Sequence, residues 1–128
     1  MERAKGVVAD RKLIPDDAKQ LKRTVSQALR AADLDVVVLT GGTGISTTDV
    51  TIETVKPFFE KEIEGFGEIL RSVSYGKIGA AAALSRATAG VAKGKLILCL
   101  PGSPDAVRTA LELFVVEIPH VIHLARGH

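Results

Sequence analysis

At Val36–Leu39 four consecutive apolar residues, three of them β-branched, run straight into Thr40-Gly41-Gly42-Thr43-Gly44. A continuous apolar run of this kind is expected of a parallel strand covered on both faces. Three glycines in four residues then forbid the strand from continuing, and Asp49 precedes a segment from Thr51 that can start a helix. Strand, glycine loop and helix in that order place the chain in the α/β class, and the flanking segments repeat the pattern. The segment "GVVADRKLIPDD" reads as a short strand ending near Ile14. After it, Asp17 with Gln20 has capping-box spacing, with Asp16 as the alternative cap. Leu21, Val25, Ala28, Leu29 and Ala32 then form one apolar helical stripe.

Further along, Thr51 is expected to cap a helix carrying Val55, Phe58, Phe59 and Ile63, with Pro57 kinking or shortening it. A helix is expected in "GFGEILRSVSYGKIG", and a short packed one at Ala80–Ala83. "RATAGVAKGKLILCL" reads as two strands joined by a turn at Lys93-Gly94. In "PGSPDAVRTALELF", Ser103 is the cap and Pro104 the first helical residue, and the helix is expected to bury Val107, Ala110, Leu111, Phe114 and Val115. The expected fold is a three-layer α/β/α arrangement around a mostly parallel sheet, as one domain over residues 1–128.

Composition removes several functions. With 46% hydrophobic residues the chain can bury a core, but only 4% are aromatic, and Trp is absent. That is poor material for a base-stacking surface, and the 17 basic and 15 acidic residues form no basic block. No nucleic-acid or membrane partner is expected. Apolar runs are too short to span a bilayer and no signal peptide is evident, so the cytoplasm is the expected compartment. Cys99, the single cysteine, alternates into a strand and reads as a core thiol. His120 and His123 have metal-compatible i, i+3 spacing without a nearby Cys or carboxylate, which favours a structural or surface role.

Ligands of open α/β folds bind beyond the carboxyl ends of the strands. Three loops qualify here: Pro15-Asp16, Gly41 to Asp49, and Pro101 to Ser103. Glycines let backbone N–H groups approach an anion, and a helix N-terminus adds positive dipole. Two carboxylates on that rim, Asp16 and Asp49, would repel phosphate unless a cation lay between, which suggests Mg²⁺ bridging nucleotide phosphates. "GGTGIST" is neither a P-loop nor a dinucleotide fingerprint. A phosphate-bearing ligand and a plain structural turn both satisfy the pattern. Arg71, Arg86 and Arg108 can pair with Glu or reach a phosphate, and pairing is the simpler reading. No Ser-His-Asp or Cys-His set is apparent, so covalent catalysis is not expected.

"LTGGTGISTTDVT" resembles the signature of the MoaB/MogA family of molybdenum cofactor biosynthesis, whose molybdopterin-binding domain also occurs as the gephyrin G domain. "IPDD", "EGFGEILR" at Glu64–Arg71, "LSRATAGV" at Leu84–Val91 and "LPGSPDAV" at Leu100–Val107 match in the same order. "EGFGE" and "SRATAGVAKGKLI" look closer to the MoaB branch. The resemblance implies adenylylation of molybdopterin: its terminal phosphate attacks the α-phosphorus of Mg-ATP, giving adenylyl-molybdopterin and pyrophosphate. It assigns Asp16 and Asp49 to catalysis and Mg²⁺, and Gly41, Gly42, Thr43 and Gly44 to phosphate or nucleotide. Ser85, Gly102 and Ser103 would face the pterin, while Phe66, Gly67 and Glu68 read as architectural. It further implies a homotrimer, or a hexamer in the MoaB branch. Family members usually begin with an additional strand and helix bearing a D-x-S-G segment. This sequence begins near their second strand, so the fold is expected without them. A non-catalytic molybdopterin carrier or inactive paralogue is the alternative implied by the same resemblance.

Overall fold

The computed structural model describes residues 8–15 and 17–127. The central element is β4 (Lys95–Leu100), whose six residues are all buried. β1 (Val36–Thr40) pairs with it in parallel, Val36 opposite Leu96 and Thr40 opposite Leu100. β3 (Thr88–Ala92) pairs with its other edge, antiparallel, and the two-residue β2 (Lys61–Glu62) pairs antiparallel with β3. The strand order is β1-β4-β3-β2.

Two apolar clusters cover the two faces of β4. On one face Leu96, Leu98 and Leu100 pack with Phe66 and Leu70 of α3 (Glu64–Ile78) and Ala110 of α4 (Pro104–Phe114). Ile118 and Val121 of α5 (Ile118–Ala125) complete that layer. On the other face Ile97 and Cys99 pack with Val25 and Leu29 of α1 (Ala18–Arg30) and with Ile52 and Val55 of α2 (Thr51–Val55). The α/β class and the three-layer arrangement therefore hold.

Pairing differs in balance from the expectation of a mostly parallel sheet. Lys93 and Gly94 join β3 to β4, with φ of 53° and 72°. A two-residue link with positive φ at both positions closes an antiparallel hairpin, whereas parallel neighbours need a crossover of a dozen or more residues. Parallel pairing among the described residues is thus confined to β1 with β4.

Other local expectations divide similarly. Asp17 caps α1, its Oδ1 accepting from the Lys19 N–H at 2.9 Å, and Ser103 Oγ caps α4 by accepting from the Ala106 N–H at 3.1 Å. Residues 8–15 form no strand and pair with no strand of the described sheet, and Val8 and Leu13 lie exposed. β1 is covered less completely than expected: Val37 and Leu39 pack against the cluster of α1 and α2 and Val36 against that of α3 and α4, while Val38 remains 47% exposed. The helix from Thr51 stops at Val55 and passes into a 3₁₀ turn, Lys56–Phe58, at Pro57, while Ile63 lies just before α3. In the alanine cluster only Ala82 is buried, within a 3₁₀ turn at Gly79–Leu84. On α4, Thr109 and Ala110 are buried but Leu111 is exposed. Among the described residues no helix is long and apolar enough to cross a membrane.

Candidate functional site

Because β1 and β4 run parallel, the loops leaving them emerge side by side. The Gly41 N–H donates to Leu100 O at 2.9 Å, and a Cβ on Gly102 would stand 3.4 Å from Gly41 Cα. Gly41 and Gly42 have φ of 90° and 68°, a region that side-chain-bearing residues reach only with strain. A Cβ on Gly42 would also overlap the Thr51 hydroxyl. That hydroxyl donates to Gly41 O at 2.9 Å, and the Thr51 N–H donates to Gly42 O at 3.1 Å. Thr51 therefore ties the glycine loop to the start of α2. It is the first helical residue and not the expected cap: its hydroxyl is drawn to a loop carbonyl and away from the helix amides.

Beyond Gly44 the chain turns back on itself. Asp49 Oδ2 accepts from the Ser46 N–H at 2.9 Å, and the Asp49 N–H donates to Ser46 O at 3.0 Å. The side chain thus reaches back three residues to a backbone N–H, as the acidic arm of a capping box does. A Cβ on Gly44 would lie 2.7 Å from Asp49 Oδ2, so the absence of a side chain there admits the carboxylate. The N–H groups of Gly42, Thr43 and Gly44 have no backbone or side-chain acceptor among the described residues. Gly41–Gly44 and Asp49 line a cleft of about 340 Å³ together with Leu84, Ser85, Pro101 and Gly102. A wider depression of about 450 Å³ is bounded by Lys19, Lys22, Glu53 and Phe58, and none of the expected site residues among the described ones lines it. Free amide donors beside one carboxylate suit an anion that brings a cation with it.

Arg86 is the residue that sequence reasoning undervalued. Its N–H donates to Thr43 O at 2.7 Å, its Nε to Gly44 O at 2.8 Å and its Nη2 to Asp49 O at 3.2 Å. Both terminal nitrogens also reach the Glu53 carboxylate, Nη2 to Oε1 at 3.2 Å and Nη1 to Oε2. The hydrogen bond from Arg86 holds the Glu53 carboxyl below its ordinary range, and the same bond raises the guanidinium. Arg71 likewise bonds backbone, its Nη1 donating to Ala87 O at 2.8 Å across the space where a Gly67 Cβ would be.

A family profile described as "Probable molybdopterin binding domain" matches residues 1–120. The chain belongs to this molybdopterin-binding domain family. It is 46% identical over 116 residues to the probable molybdopterin adenylyltransferase of Methanocaldococcus jannaschii, a match covering 90% of this chain and 71% of that protein. To molybdenum cofactor biosynthesis protein B of Staphylococcus aureus it is 56% identical over 93 residues, covering 71% of this chain and 55% of the relative. The crystal structure of the tungsten cofactor synthesizing protein MoaB from Pyrococcus furiosus superposes with a TM-score of 0.83 at 43% identity, covering 91% of this chain and 74% of that one.

Within this molybdopterin-binding fold, seven of the expected site residues line the one cleft: Gly41, Gly42, Thr43, Gly44, Asp49, Ser85 and Gly102. Ser103 lies beside Gly102, but its side chain is engaged as the α4 cap. Asp16 lies outside the described residues. Leu84 and Pro101 also line the cleft, and their adjacency to Ser85 and Gly102 in two of the matching motifs was the available signal. Cys99 is buried in the sheet as expected. His120 is exposed with its Nδ1 3.2 Å from Glu117 Oε2, and no group of three potential metal ligands gathers among the described residues. Mg²⁺ commonly takes one or two carboxylates and completes its shell with phosphate and water. Asp49, half-buried beside the amide donors, fits that mode.

Proposed function

We propose that this chain is a molybdopterin adenylyltransferase of molybdenum cofactor biosynthesis, transferring AMP from ATP to the terminal phosphate of molybdopterin. The observation that carries the reading is the 340 Å³ cleft, where unengaged loop amides and the Asp49 carboxylate meet Ser85 and Gly102. In the reaction a phosphate oxygen of the pterin bonds to the α-phosphorus of ATP. The α-phosphorus bond to the bridging oxygen breaks, and pyrophosphate leaves with the electron pair. The substrate supplies the nucleophile, so the protein needs no activated Ser or Cys, and positioning with charge stabilisation is the work left to it. The N–H groups of Gly42, Thr43 and Gly44 bind phosphoryl oxygens, and Ser85 and Gly102–Ser103 face the pterin. Asp49, with Asp16, holds the cation that accompanies the nucleotide. Mg²⁺ supplies neutralisation of phosphate charge when bound.

The test is Asp49→Ala, with Asp16→Ala beside it. Each should abolish Mg²⁺-dependent pyrophosphate release while molybdopterin binding persists; turnover comparable to the parent protein refutes the assignment. Calorimetric titration with Mg-ATP separates the enzyme from a pterin carrier, which would show no heat of nucleotide binding. Under the same reading, residues 1–128 act as one unit in the cytoplasm and self-associate as a trimer or hexamer. The exposed Ile69 and Val73, one turn apart on α3, support burial between subunits. A stable monomer in light scattering would count against that association.

A further inference from the structure

The geometry points to Arg86 as a positioning residue that acts through Asp49, setting the shape of the 43–49 loop without itself binding the transferred phosphates. This inference rests on the adenylyltransferase reading and deepens it. A guanidinium has five N–H donors, of which the structure uses four: Gly44 O, Asp49 O and both oxygens of Glu53. Its charge is already balanced by Glu53, so little remains with which to bind an anion. Its donors fall instead at both ends of the turn that Ser46 and Asp49 close between themselves. The Arg86 N–H adds Thr43 O, so one residue holds three carbonyls of a seven-residue segment. A planar trans peptide carries its N–H opposite its C=O. Holding the carbonyls of Thr43 and Gly44 therefore fixes where the N–H groups of Gly44 and Ile45 point. Holding the carbonyl of Asp49 fixes the backbone from which its carboxylate extends. Only a planar fork can span these acceptors, and a lysine of the same charge cannot.

Arg86→Ala and Arg86→Lys, compared with Glu53→Gln, test the inference by steady-state pyrophosphate release and amide hydrogen exchange. Both Arg86 variants should lower kcat by about tenfold or more with KM for ATP nearly unchanged, the pattern of lost transition-state alignment. The hydrogen-bonded amides of the turn, Ser46, Thr48 and Asp49, should exchange about tenfold faster or more while those of β4 keep their protection. Glu53→Gln, which keeps acceptors for the fork, should stay within about threefold of the parent kcat. A kcat restored by Arg86→Lys reduces the role to charge and overturns the inference. A raised KM with unchanged kcat makes Arg86 a substrate ligand, with the same consequence. Unchanged exchange at Ser46, Thr48 and Asp49 also overturns it, and this readout stands without turnover. If the parent protein releases no pyrophosphate, the adenylyltransferase reading fails, and exchange alone decides the role of Arg86. Where Arg86→Ala loses β4 protection, Arg86→Lys carries the test.

Discussion

Replacing Gly42 by alanine should be among the most damaging single-methyl additions in this protein, and three glycines together reveal why. At Gly42 the added Cβ meets two separate penalties. Its φ of 68° places an L-residue in the left-handed region, costing about 1–2 kcal/mol. The same Cβ overlaps the Thr51 hydroxyl, displacing it from Gly41 O and costing about 1 kcal/mol more for the lost hydrogen bond. The sum is about 2–3 kcal/mol, a large part of the ~5–15 kcal/mol that holds an ordinary domain together. Gly41, with φ of 90° and nothing near its would-be Cβ, carries only the strain, so Gly41→Ala should cost about 1–2 kcal/mol. Gly76, inside α3 and facing open space, carries neither, so Gly76→Ala should stabilise by up to about 1 kcal/mol. Urea unfolding resolves these differences: at an m-value near ~2 kcal/mol/M, the Gly42 variant's midpoint falls by about 1–1.5 M. A double-mutant cycle with Thr51→Ala isolates the overlap, because that change removes the hydroxyl and leaves a Cβ approach of 3.2 Å. The coupling should relieve about 1 kcal/mol. Equal midpoints for Gly41→Ala and Gly42→Ala, with no coupling to Thr51, would refute the reasoning.

Two further outcomes follow from the interior of the sheet. Burial pushes the Cys99 thiol up to about 12, whereas an unfolded thiol releases its proton near ~8.5. Between those values the unfolded chain holds fewer protons, so stability falls as pH rises, by up to about 1.4 kcal/mol per pH unit from this group. The urea midpoint of the parent should therefore drop from pH 8.5 to 10 more steeply than that of Cys99→Ala, and parallel profiles would contradict the shift. Lys95, buried at the start of β4, donates its Nζ to Ala28 O at 2.9 Å and to Ala31 O, the closing carbonyls of α1. Lys95→Met keeps the stem and removes the donors, and should cost about 1.5–3 kcal/mol, the range for hydrogen bonds from a charged group. A neutral unfolding midpoint would show that water replaces the ammonium there.

What the sequence made legible was whatever rests on local chemistry. Asp17 and Ser103 advertise their capping roles by position, and Lys93-Gly94 advertises its hairpin by turn preference. The glycine loop is equally local: Gly41 and Gly42 stand where the backbone turns left-handed. The partners of a segment were not legible. Residues 8–15 carry apolar residues at both ends that suggested a strand, yet they join no ladder of the described sheet. Val36–Leu39 reads as doubly covered, yet how much of each face is covered depends on which helices lie over it, and Val38 stays exposed. The same holds for the site. Its glycines and Asp49 form one stretch, whereas Arg86 lies 37 residues beyond Asp49 and enters through contacts with carbonyls, which every sequence position possesses. The resemblance placed Ser85 in the site, and its neighbour Arg86 differs in facing the loop's backbone.

The cleft is held almost wholly by main-chain oxygens: Leu100, Gly41, Gly42, Thr43, Gly44 and Asp49 each accept one of the bonds that shape it. Few side chains are therefore specified by that architecture, chiefly Thr51, Arg86 and the carboxylate that closes the turn. Ile45, Ser46, Thr47 and Thr48 lie exposed at the rim. Of these, Ile45 and Thr47 make no side-chain hydrogen bond among those that build the loop. A substitution at Ile45 or Thr47 should therefore leave the backbone of the cleft standing, because none of the bonds that shape it passes through those side chains.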